Sequence, residues 1–110
     1  MSGKRSRTKG HSFERWVALQ LQAVFPRAKR KLEYQVDECQ GVDIENTGVF
    51  RIQCKAYKDY APISKIFEVQ YRGGEIPILV TKGDRKEPMA VIPFMKLVRL
   101  LGEVYNEKGL

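Results

Sequence analysis

Asp43, Gln53 and Lys55 are the side chains whose types and spacing could do chemistry together. Asp43 lies in Gly41-Val42-Asp43-Ile44-Glu45. The other two lie one short turn later, in Phe50-Arg51-Ile52-Gln53-Cys54-Lys55-Ala56. Read as neighbouring strands, the two-residue side-chain period puts Gln53 and Lys55 on one face and sends Ile52, Cys54 and Ala56 to the other. A carboxylate, an amide oxygen and an ammonium then converge over an apolar layer. That is a geometry for a metal ion with a cation beside it.

The elements that must position these residues can be read from hydrophobic period. From about Ser12, Phe13, Trp16, Val17, Leu21, Val24 and Phe25 recur at helical spacing until Pro26 stops the run, and Trp16 counts as core. Glu14 sits on the margin of that stripe, where an acid is costly unless something positive is near. Residues 31–36 alternate as a half-buried strand, with Tyr34 toward the core, and a loop runs on to Gly41. The two strands already described follow, joined by a hairpin turn around Asn46-Thr47-Gly48. After Tyr60 a helix is expected, with Pro62 in its first turn, Ile63, Ile66, Phe67 and Tyr71 buried, and Gly73-Gly74 at its end. Residues 76–80 read as an inner strand with Pro77 limiting pairing near its start, and residues 89–92 as a last strand. A C-terminal helix from about Pro93 carries Phe94, Leu97, Val98, Leu101, Val104 and Tyr105 on one face, widened by Met95 and Leu100. The order is α-β-β-β-α-β-β-α without internal repeat, and the economical fold is α/β: a single mixed sheet flanked by helices.

A chain of 110 residues holds one domain with a real core. Residues 1–9 lack apolar periodicity and read as a flexible basic arm, leaving 10–110 as the domain. No apolar run approaches the ~20 residues needed to span a bilayer, and the basic start leads into no signal-type stretch. An intracellular, cytoplasmic protein is expected, compatible with a viral or prophage origin. Cys39 and Cys54 have no C-x-x-C spacing, and with His11 as the one histidine a structural zinc site is not expected. Twenty Lys and Arg against 13 Asp and Glu give a net charge of +7, and the excess is clustered at Lys4, Arg5, Arg7 and Lys9 and again at Arg27, Lys29, Arg30 and Lys31. Such clusters suit a polyphosphate, because each neutralised phosphate releases condensed counterions.

A helix with Glu14, a Gly-x-Asp strand, a following strand with Gln53-x-Lys55, then a helix and an inner strand: this order resembles the PD-(D/E)xK nuclease superfamily, with its restriction-endonuclease-like core. Within it the chain is most similar to the small, archaeal/phage-type Holliday-junction-resolvase branch, whose members open with a basic arm and a Lys-Gly-x-x-x-Glu helix. Here that opening reads Lys9-Gly10-His11-Ser12-Phe13-Glu14, and the likeness covers residues 9–93. The resemblance implies that Asp43 bridges a divalent metal, that Glu14 contributes a ligand directly or through water, that Gln53 and the main-chain carbonyl of Cys54 add oxygens, and that Lys55 orients or activates the attacking water. Mg2+ is the implied metal, with Mn2+ able to substitute. The family usually carries Glu or Asp where this chain has Gln53, so one formal negative charge is missing and metal affinity should fall. Glu45 shares the face of Asp43 and ranks below Gln53 as a replacement, lying about 7 Å along the strand.

Taken alone, each of these residues has a plainer reading: Glu14 a surface acid, Asp43 a solvated acid near a turn, Lys55 a guard on an edge strand. Cys54 reads as a small core residue, since no histidine is placed to activate it. Together they lead to the expectation of a Mg2+-dependent, structure-selective DNA endonuclease, a Holliday junction resolvase acting as a homodimer. The DNA contacts expected are Lys4, Arg5, Arg7, Lys9, His11, Arg15, Lys29, Arg30, Lys31 and Lys58. The alternatives are a nuclease of this fold acting on flap, nicked or linear DNA, and a catalytically weak or inactive DNA-binding module of the same fold.

Overall fold

The computed structural model of the chain describes residues 3–32 and 41–109, with side chains from residue 7 onward. Tyr34, Cys39, most of the strand expected over 31–36 and the side chains of Lys4 and Arg5 lie outside the described residues. In order the elements are helix α1 (Gly3–Leu21), strands β1 (Lys29–Arg30), β2 (Ile44–Glu45) and β3 (Phe50–Ala56), a 3-10 helix (Ile63–Glu68), strands β4 (Ile76–Lys82) and β5 (Met89–Val91), and helix α2 (Phe94–Lys108). The strands form one five-stranded mixed sheet in the order β1-β2-β3-β4-β5. The protein is therefore mixed α/β, with two helices flanking one sheet.

The hairpin between β2 and β3 is antiparallel and pairs Ile44 with Ile52. Its turn needs left-handed backbone at Asn46 (φ 66°) and Gly48 (φ 61°), residue types that tolerate it. β3 and β4 run parallel over their whole length, with Gln53 beside Leu79 and Lys55 beside Thr81. Leu79 and Ile76 are fully buried, as an inner strand requires. Pro77 does not shorten the β3–β4 ladder, which runs from Ile76 to Lys82. β5 pairs only with Leu79–Thr81, so on that side the absent Pro77 N–H costs no strand bond.

The period-two split of β3 divides the core. Ile52 and Cys54 join Ile44 and Ala28 under Phe13, Val17 and Ala18 of α1. On the other face Leu79 packs with Val42, Ala61, Ile66 and Val69. Among the described residues no helix is long and apolar enough to cross a membrane.

Three expectations are corrected. Helix α1 begins at Gly3 and ends at Leu21, so residues 3–9 are its first turns rather than a flexible arm. Lys and Arg are good helix formers, so a segment without an apolar stripe can still be helical. Past Leu21 the chain unwinds into turns, leaving Val24 exposed. Trp16 is 45% exposed and is not core. The helix expected after Pro62 is a 3-10 segment ending at Glu68. Ile66 and, just past the end of the segment, Val69 are buried against Leu79, while Phe67 turns outward, 85% exposed. Tyr71 and Ile63 are exposed as well. Helix α2 forms where the sequence places it, but none of its residues is buried, and Phe94, Met95, Leu101 and Tyr105 are open to solvent.

Candidate active site

The site forms where β2 and β3 part. Asp43 stands just before β2: its N–H donates to the Ile52 carbonyl at 2.8 Å, and its own carbonyl accepts the Lys31 N–H at 2.7 Å. Further along β3 the strand carbonyl is replaced by a side chain, and the Cys54 N–H donates to Asp43 Oδ2 at 2.7 Å. The carboxylate is thereby fixed in the opening between the strands. Burial pushes its pKa up, against the pull of the Cys54 hydrogen bond and of the positive Lys55, Lys31 and Arg30.

Glu14 reaches the same opening from α1. Its Oε1 accepts a hydrogen bond from Arg30 Nε at 2.9 Å, and both side chains are largely buried. Burial raises the Glu14 pKa, the negative charge of Asp43 raises it further, and Arg30 and His11 pull it down. The two acids therefore feel each other, as two ligands of one cation would. Cys54 faces the α1 side of the core, and burial, then Asp43 and Glu14, push its thiol far up, which rules out a thiolate nucleophile.

Gln53 is only 4% exposed, and its Oε1 is enclosed with no hydrogen-bond partner among the described residues. A buried oxygen left that way costs about 1–3 kcal/mol. Lys55, on the same face, has Nζ 3.7 Å from Glu68 Oε1. The Glu68 carboxylate is pulled down in pKa first by Lys65, with smaller contributions from Lys55 and the Gln53 amide. Glu68 is held there by its backbone: Gly41 has φ +78°, and a Cβ at that position would collide with the Glu68 carbonyl oxygen.

These donors fit a hard divalent cation: an orphaned amide oxygen, and two carboxylates whose charged forms are disfavoured by burial and by each other. Among the described residues no three His, Cys, Asp or Glu side chains cluster as a metal-binding group. The third oxygen is an amide, and Glu14 is turned to Arg30.

The basic residues divide by what they touch. Arg7, Arg15 and Lys58 are exposed. Lys9 pairs with Asp84 and donates to the Tyr57 carbonyl at 3.0 Å, while Lys29 pairs with Glu45 at 3.4 Å. Lys31 and Arg30 lend positive charge to Asp43, and His11 to Glu14. Glu45 is thus committed to the β1 side and is not beside Gln53.

One feature escaped the sequence reading, and one residue read as core stands elsewhere. Glu68 meets Gln53 and Lys55 through an irregular segment, where no strand or helix period could announce it. Trp16, stacked on Phe13 with centroids 6.0 Å apart, lines a groove of about 400 Å3 with Ala56 and Lys82, a platform on which a base could stack. Compared with known protein families, with characterised proteins and with solved structures, the chain matches none.

Proposed function

We propose that this chain is a Mg2+-dependent endodeoxyribonuclease of PD-(D/E)xK type, most concretely a Holliday junction resolvase. The observation that carries the reading is the Asp43 carboxylate, fixed on the Cys54 N–H in the opening between β2 and β3, with Glu14 and Lys55 within its electrostatic reach. Asp43, Glu14, the Gln53 amide oxygen and the Cys54 carbonyl are the groups that would hold the metal. When bound, Mg2+ supplies Lewis acidity toward a phosphate oxygen and acidifies its water. Lys55 offsets negative charge developing on the phosphoryl group and helps to place the attacking water. The Cys54 N–H keeps the Asp43 carboxylate aimed into the opening. Arg7, Arg15, Lys58 and Lys31 supply backbone contacts, and Trp16 a stacking surface.

A four-way junction needs two symmetric cuts, which a twofold homodimer provides. Phe94, Val98, Leu101 and Tyr105 recur at four-three-four spacing on the solvent side of α2, and a second copy is the occupant proposed for that stripe.

Gln53 favours one second reading. With an amide where a carboxylate is usual and Glu14 bonded to Arg30, the chain would bind DNA of the same kinds while cutting weakly or not at all. One cleavage series on junction, flap, nicked and linear DNA, with Mg2+ added and withheld, decides between them. Metal-dependent cutting of the junction supports the resolvase; cutting of another structure first moves the substrate; binding without cutting favours the second reading.

A further inference from the structure

Glu68 lies outside the residues so far given a role, yet three independent contacts bring it to the site. Its backbone carbonyl packs against Gly41, two residues before Asp43, so closely that no side chain fits there. Its Oε1 stands 3.7 Å from Lys55 Nζ. Its carboxylate lies close enough to the Gln53 amide to be stabilised by it. The side chain itself is half-exposed and pairs with Lys65 at 2.9 Å, so it is free to turn without disturbing the core.

We propose that Glu68 supplies the carboxylate that position 53 lacks: Gln53 and Glu68 form an amide–carboxylate pair that holds a divalent cation beside Asp43. The inference rests on the nuclease reading and adds a residue to its site. The pair has the composition a single acid could not give: a buried oxygen, Gln53 Oε1, without a partner, and one negative charge beside the same amide. A carboxylate binds a hard cation more strongly than an amide does, so the charge matters more than the position from which it comes. Lys65 holds Glu68 in the absence of metal, and a turn of Glu68 toward the cation would free the Lys55 ammonium for the substrate phosphate.

The pair makes a charge exchange the decisive test. Calorimetry with Mn2+ alone, on the full chain, reads metal affinity without reference to cleavage. Glu68→Gln should weaken Mn2+ binding by about tenfold or more. Gln53→Glu in the same chain should restore it, because the exchanged pair keeps its charge and its shape. Gln53→Glu alone should bind Mn2+ more tightly than the wild type. A Glu68→Gln protein that unfolds at the wild-type temperature and binds Mn2+ as tightly overturns the role of Glu68 and leaves the nuclease reading standing. A double variant that folds but does not regain affinity also overturns it. Wild-type protein that takes no Mn2+ overturns both.

Discussion

The Asp43 carboxylate accepts the Cys54 backbone N–H at 2.7 Å, standing in for a strand carbonyl at the point where β2 and β3 diverge. One bond thus does two things: it satisfies a buried amide of β3 and aims an acid into the opening. Asp43→Asn keeps an acceptor for that N–H and removes the charge.

Burial raises the Asp43 pKa above its ordinary 3.8. For a raised carboxylate the folded state binds the proton more tightly, so its contribution to stability is present below the ordinary value and is lost as pH rises through the raised one. Metal-free Asp43→Asn should therefore melt higher than wild type at neutral pH, with the gain shrinking toward pH 4. Thermal unfolding across that range checks it; an equal gain at every pH contradicts it.

Arg30 offsets the largely buried charge of Glu14. Arg30→Gln should cost about 1–3 kcal/mol, because it strands the acid rather than removing a pair. The Glu14 pKa is raised in the folded protein, and losing Arg30 raises it further. The loss should accordingly be greatest at neutral pH, ease as Glu14 protonates in acid, and be partly recovered in Arg30→Gln with Glu14→Gln. Urea unfolding at two pH values reads all three.

Gly41 has φ +78°, and its Cα faces the Glu68 carbonyl with no room for a methyl group. Gly41→Ala combines left-handed strain with a backbone collision and should cost at least about 2 kcal/mol. Gly73→Ala, with nothing within 4 Å of the added carbon, is the control and should stay near wild type.

The solvent-facing stripe of α2 predicts self-association. Leu101→Glu, at a residue 57% exposed, should leave the unfolding of the protomer almost unchanged and shift sedimentation from dimer to monomer. A wild-type protein that sediments as a monomer at all concentrations removes the stripe from the interface.

Much of the fold was legible because its signals are periodic. Alternation in residues 50–56 placed Ile52 and Cys54 on one side and Gln53 and Lys55 on the other, and the consecutive apolar residues of 76–80 marked the inner strand. Asn46 and Gly48 marked the hairpin through their tolerance of left-handed backbone. What was illegible depends on contacts. Trp16 lies on the stripe of α1 by spacing, but it stands over the open groove at the ends of β3 and β4 and stays 45% exposed. Phe67 faces water because a 3-10 turn repeats every three residues, a difference from helical period too small to read over six residues. The helical start at Gly3 carries no core signal at all. In the site, Asp43, Gln53 and Lys55 followed from strand period and Glu14 from its place on the stripe. Glu68 depends on a single close approach between Gly41 and an irregular segment.

The central claim is that Asp43 belongs to a metal-dependent nuclease site, and cleavage of a synthetic four-way junction by wild type and Asp43→Ala tests it most directly. With Mg2+ the wild type should cut the junction symmetrically and be inert without it, while Asp43→Ala binds the same junction and leaves it intact. Equal cleavage by the two proteins would contradict the assignment.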